Sequence, residues 1–362
     1  MKGIYFASDA ARYVERVASN KSEVRKLQLT GGSTYIVSLP KRWVVEHQLS
    51  AKDDVRIEWR PSGSLRVSAE TTSVRKRRQV EIDLQEISRD FILDHLIGAY
   101  LSGAQNIRII SKSGIDREHR RELRRFIQTT RGVEIANESD YSVEMITLLN
   151  PAEMPLHSSL NRMYLLVSSQ IRDVVEVLTG GDVTILEDSE EREKEVDALR
   201  LLLERQVGQI LESASIETSF GTTRWEAAEL SNIVRTLERI GDHCYILSRL
   251  CVYQEVPNNL SSAELPVSVI PIWQSSIKQL IANLRKRKVK EIHDAKSNLE
   301  SAIMNLREYE DSLWDMKLQS TDALFLDKLS ESLRRILAYT VDMAEILINI
   351  HTHRNSTEVT IG

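Results

Sequence analysis

The chain has 362 residues, 28% of them charged and 41% hydrophobic, with a formal net charge of −5 at pH 7. That balance excludes a disordered chain, and the length allows two or three domains of ordinary size. No apolar run approaches the roughly 18 residues that cross a bilayer, which excludes a helical membrane protein.

Asp9, Arg12 and Glu15 interrupt the N-terminal stretch where a signal peptide needs an apolar core, so a cytoplasmic location is expected. Residues 1–79 carry 16 Lys/Arg against 8 Asp/Glu, while the remainder carries 32 against 45. A basic front attached to an acidic body points to different partners for the two.

Residues 24–72 form the first predicted domain. Val24 to Leu29 is a strand candidate, Gly31-Gly32-Ser33 a turn, and Tyr35, Val37 and Leu39 alternate as a second strand. The turn lacks the Lys-Ser/Thr ending of a phosphate-binding loop. Pro40 suits the first position of a short helix to about Gln48. Val55 to Arg60 and Leu65 to Ser68 flank a Pro61-Ser62-Gly63-Ser64 turn as a hairpin. So small a unit buries little core alone and should dimerise or dock. Arg75-Lys76-Arg77-Arg78 closes it as a solvated linker or an auxiliary phosphate contact.

Residues 79–152 read as a small α/β region. Val80, Ile82 and Leu84 alternate as a strand, followed by a helix at 87–102, a strand at 107–110, a helix at 116–130 and a strand at 143–149.

From Ser158 the pattern is helical and occurs twice. Helices fit 159–179, 183–213 and 223–253 in a first bundle, 158–253. Thr223 with Glu226 forms a capping box. After a linker at 254–266, helices fit 268–287, 289–317 and 322–353 in a second bundle, 267–354. Ile233, Leu237, Ile240, Cys244, Leu247 and Cys251 follow the 4-3 rhythm of a packed seam, as do Leu329, Leu333, Ile336, Thr340, Ala344 and Leu347. Cys244 and Cys251, roughly 10 Å apart along one helix, are too distant for a disulfide and read as buried hydrophobes. The fold class is therefore mainly α.

The chemistry concentrates in two acid pairs. Glu193 and Asp197, and Glu238 and Asp242, are each spaced four apart, so each pair shares a helical face. Two carboxylates 6 Å apart repel by about 3 kcal/mol at an effective dielectric near 20, and a cation would relieve four of them converging. Carboxylates accept Fe, Mn, Mg or Zn alike. Arg239 is expected to steady an acid, and His243, about 100° around the helix from Asp242, to be a core or interface residue. Neither acid pair is followed by His at di-iron spacing, and no Ser/His/Asp or Cys/His grouping appears, so no enzyme is expected.

Leu237 to Ile240, then Gly241, Asp242, His243 and Ile246, resemble the LERIGDHxxxI phrase of the PhoU family of phosphate-signalling proteins. That resemblance implies two three-helix bundles with acidic motifs holding metal, here through Glu193, Asp197, Glu238 and Asp242. In the second half, Arg334 and Ala338 stand where Glu238 and Asp242 stand in the first, and Glu300 is followed at four residues by Met304. One metal site per chain is therefore expected, with the second bundle degenerate. The phrase from Arg25 to Val44 resembles the AbrB/SpoVT family of swapped-hairpin DNA-binding dimers, in the version fused to PhoU-like domains in archaea. It implies DNA contacts by Arg25, Lys26, Thr30, Ser33, Thr34, Lys41 and Arg42. The expected protein is a homodimeric, DNA-binding regulator of phosphate uptake. The alternative is an interaction protein that modulates a phosphate transporter or sensor kinase without touching DNA.

Overall fold

A computed structural model describes residues 23–59, 64–69, 78–149, 155–257, 260–313, 315–316 and 318–356. The chain divides into two units, Met1–Lys76 and Arg77–Gly362.

In the first unit, β1 (Gln28–Thr30) pairs antiparallel with β2 (Thr34–Ile36), Thr30 facing Thr34 across the turn. Gly31 and Gly32 take φ of 64° and 82°, a left-handed path that side chains resist. The expected strand from Val24 starts only at Gln28, because β2 offers three pairing residues and an unpaired ladder gains nothing. α1 (Lys41–Glu46) starts one residue later than expected, with Pro40 extended at the cap. β3 (Val55–Trp59) and β4 (Leu65–Ala69) form the expected hairpin. No described residue of this unit is buried, and Val24, Tyr35 and Trp59 are 96%, 70% and 81% exposed.

The second unit opens with an α/β layer. Its elements are β5 (Gln79–Asp83), α2 (Ile92–Leu101), β6 (Asn106–Ile110), α3 (Arg117–Thr129), β7 (Val133–Glu138) and β8 (Ser142–Thr147). The sheet order is β5-β6-β8-β7, with β5 and β6 parallel and the other pairings antiparallel. Strand β7 corrects the three-strand expectation: it is an edge strand exposed after Val133, and its apolar alternation stops at Ile135. Ile82, Ile107, Ile109 and Met145 meet Leu96, Tyr100, Leu123 and Phe126 in one core. Of the basic run, 75–77 lie outside the described residues. Arg78 is not a free phosphate contact but donates to the Ser102 carbonyl and, at 2.5 Å, to Glu212.

Helices follow: α4 (Leu156–Leu178), α5 (Ser189–Glu212), α6 (Ala214–Phe220), α7 (Arg224–Tyr253), α8 (Val269–Lys286), α9 (Val289–Leu313) and α10 (Ser320–Arg354). The helix expected over 183–213 is split. Asp182 caps a 3-10 turn at Val183–Leu186, accepting the Thr184 N–H at 3.0 Å, before α5 starts at Ser189. The short α6 was not expected. It ends at Gly221, whose φ of 61° turns the chain into α7.

Helices α4, α5 and α7 and helices α8, α9 and α10 share one continuous core, with α7 packed along α10. Both 4-3 stripes are buried within it. Each fully buried Leu or Ile there contributes about 1.5–3 kcal/mol relative to an exposed one. Both cysteines are free and buried, and burial pushes the Cys251 thiol up to about 12. Half of the expected capping box forms: the Thr223 hydroxyl accepts the Glu226 N–H at 3.2 Å. The Glu226 carboxylate turns away to Arg354 at the end of α10, and Trp225 stacks on His353 at 4.1 Å. No helix among the described residues is long and apolar enough to cross a membrane.

Candidate metal centre and nucleic-acid interface

Helix α5 supplies Glu193 and Asp197 and is held against α4 by polar contacts at its start. The Gln170 amide donates to the Ser189 carbonyl at 3.0 Å, and Arg192 bridges Asp173 and Asp188, each at 2.5 Å. Helix α7 supplies Asp242. Its neighbour Gly241 allows the close approach: a Cβ there would stand 3.3 Å from Val196 Cγ1 and 3.5 Å from Val167 Cγ2. The glycine of the LERIGDH phrase is thus a packing requirement at the level of the acids.

Carboxylate oxygens of Glu193, Asp197 and Asp242 all lie within 4.8 Å of one another. None of the three has an ion-pair partner among the described residues. Burial, then the charges of Asp197 and Asp242, raise the Glu193 carboxyl to about 7. Burial also raises Asp197, opposed by Arg200, and raises Asp242, reinforced by Asp197. Partly buried, mutually repelling oxygens without an ion-pair partner are the donor set a hard cation fits.

Glu238 is not brought into this group. Arg200, three residues beyond Asp197 on α5, takes it in an ion pair at 3.1 Å. Arg200 also pairs with Glu204 at 3.1 Å, and Glu204 with Arg235 at 2.7 Å, so a chain of alternating charge runs beside the trio. Sequence reasoning missed Arg200 and Glu204, although their spacing of four on one helix was visible. Arg239 does not steady an acid through an ion pair. Its guanidinium lies over the Tyr339 ring, 5.6 Å from the centroid. His243 is half-buried against the same Tyr339, with ring centroids 5.9 Å apart, as an interface residue between α7 and α10.

In the second bundle Glu310, Glu300 and Glu345 are already paired with cations. Arg334 pairs with Glu310 at 3.0 Å, and Lys296 with Glu300 at 3.3 Å and Glu345 at 3.1 Å, while Met304 is exposed. Among the described residues, the trio is the one acidic or histidine group clustered tightly enough for an ion.

All seven candidate DNA contacts are solvent-exposed. Thr30, Ser33 and Thr34 gather at the β1–β2 turn. Lys41 and Arg42 open α1, where Arg42 pairs with Glu46 at 2.8 Å. Arg25 pairs with Glu23 ahead of β1, and Lys26 stands beside it. These are surface pairs of small worth that a phosphate can displace.

Comparison with known families places a PhoU domain at residues 160–250. The family described as "Antidote-toxin recognition MazE, bacterial antitoxin" matches residues 28–78. Among solved structures, PhoU from Pseudomonas aeruginosa aligns at 19% identity and a TM-score of 0.44, covering 55% of this chain and 96% of that one. No curated protein matches the chain.

Proposed function

We propose that this protein is a DNA-binding transcriptional regulator of phosphate uptake that acts as a homodimer through its N-terminal unit. The observation that carries the reading is the union, in one chain, of an antitoxin-type segment at 28–78 and a PhoU domain at 160–250. Among its described residues the N-terminal unit buries none and exposes Val24, Leu27, Tyr35 and Trp59, apolar surface that a second copy would cover. Its cations would then grip duplex phosphates.

In the helical body, Glu193, Asp197 and Asp242 would hold one ion of Fe, Mn, Mg or Zn. The ion would supply fixed positive charge that ties α5 to α7 without taking part in any reaction. The reading is of a regulator and not of an enzyme, as the PhoU match at 160–250 suggests. Components of a phosphate transporter or sensor would be the partners of this body.

Gel-shift titration of the full chain on its own upstream DNA, at low and moderate salt, tests the reading. Arg25→Ala/Lys26→Ala removes four cations from a dimer and should reduce the slope of log affinity against log salt by about 3–4. Absence of any shift at low salt, together with capture of transporter components, would favour the interaction-protein reading.

A further inference from the structure

Residues 278–290 hold six cations, Lys278, Arg285, Lys286, Arg287, Lys288 and Lys290, and no acid, within an otherwise acidic body. The run ends α8 and crosses into α9 at a corner with fixed geometry. The buried Asn283 side chain accepts the Lys288 N–H at 2.8 Å and donates to Glu291 at 2.9 Å, and Arg287 takes the left-handed φ of 59°. Lys288 is occupied by Glu291 at 3.1 Å. Among the described residues, Lys278, Arg285, Lys286 and Arg287 enter no ion pair.

Three of these cations border a groove of about 730 Å³ between α8 and the first half of α4. That volume is within the roughly 300–1,000 Å³ typical of small-molecule sites. Tyr164 and Leu165 form the α4 wall, and Ile281 lies on the α8 side. Leu165 is 48% exposed, so an apolar surface stands open beside the charge. His157, which lines the groove, has a buried Nδ1 without a hydrogen-bond partner. Burial, then Arg285, Arg354 and Arg287, push its protonation down, as expected where several cations converge. Lys278 and Arg285 are separated by about 10 Å along the helix, too far to share a single phosphate group.

We propose that this groove binds a nucleotide carrying two or more phosphates, with the phosphates on Arg285, Lys286 and Lys278 and the base against Tyr164 and Leu165. Free cations answer a chain of phosphates, and a half-buried aromatic beside an aliphatic wall answers a planar base. The site uses none of the residues of the carboxylate trio, and it would give the body a metabolic ligand of its own.

Calorimetric titration of the full chain with ATP, GTP, inorganic triphosphate and inorganic phosphate tests it. A chelator is kept present so that no metal bridges the phosphates to the trio. ATP or GTP should bind saturably at one per chain, and more tightly than inorganic triphosphate. Arg285→Gln/Lys286→Gln should weaken that binding at least tenfold with an unchanged melting curve, and Tyr164→Ala should weaken it several-fold. Arg25→Ala/Lys26→Ala should leave it intact. No saturable heat with either nucleotide at millimolar concentration overturns the proposal. So does nucleotide affinity that both groove variants leave untouched. Triphosphate binding as tightly as nucleotide, indifferent to Tyr164→Ala, overturns the nucleotide assignment. Loss of duplex DNA binding in the groove variants, without any nucleotide bound, assigns the cations to DNA instead.

Discussion

Arg205 of α5 lies over the ring of Tyr100 in α2, its guanidinium carbon 4.8 Å from the ring centroid. The same guanidinium donates to the Tyr100 carbonyl and, at 2.9 Å, to the Ala104 carbonyl. At 3% exposure it is a buried cation that no carboxylate pairs among the described residues, so backbone dipoles and a π-face compensate it. Arg205→Ala strips donors from two carbonyls at once and should cost about 2–4 kcal/mol in denaturant unfolding. Arg205→Lys should restore only part, because an ammonium cannot reproduce the fork. A loss below about 0.5 kcal/mol would contradict this account of the contact, being no more than an ordinary surface change.

Metal loading should separate the four acids into two kinds. Asp197→Asn and Asp242→Asn should abolish tight ion binding, measured by elemental analysis after dialysis, because each removes one of three converging donors. Glu238→Gln should retain it, since Arg200 already occupies that carboxylate. Equal loss in all three variants would place Glu238 in the ion's coordination shell and contradict the geometry.

The pH dependence of the metal-free chain has a definite sign. Glu193 titrates at about 7 when folded against an ordinary 4.5, so below 4.5 it is protonated in both states and makes no difference to stability. Between 4.5 and 7 the folded state holds the extra proton, and stability falls as pH rises through this window. In chelator, the melting temperature of the wild type relative to Glu193→Gln should therefore decline over that range and level off above it. A flat difference would show that the carboxyl is not perturbed.

Gly241→Val should loosen the helix crossing. Its Cβ would already stand 3.3 Å from Val196 Cγ1, and two further methyl groups have no space on that side. A loss of about 1–3 kcal/mol is expected from overpacking. Ion affinity should fall with it, because Asp242 moves away from α5. Unchanged melting and ion affinity would remove the packing argument for the glycine.

Much of this architecture was legible in the chain, and the parts that were not share a physical cause. Ile233, Leu237 and Ile240 announce a buried seam by spacing alone, and the same periodicity puts Glu193 beside Asp197. Spacing cannot say which side chain on a neighbouring helix will compete for an acid, which is why Arg200 and its claim on Glu238 were hidden. Arg239 was read only in part for the same reason: its charge favours the ionised Asp242, but Tyr339 reaches its guanidinium from a helix about a hundred residues later. Strand β7 escaped because its alternation is only Val133 and Ile135, too short to stand out before the exposed residues that follow. Arg205, a charged residue between Glu204 and Gln206, gave no sign that it would be buried.

Helix α5 runs unbroken from Ser189 to Glu212, so Asp197 and Arg205 hang from one stiff rod about 12 Å apart. One end of that rod carries an electrostatic load, and the other is riveted into a sheet layer through backbone carbonyls. With no flexible joint between them, the acids and the α/β layer share one lever, its far arm pinned by Arg205 to Tyr100 and Ala104.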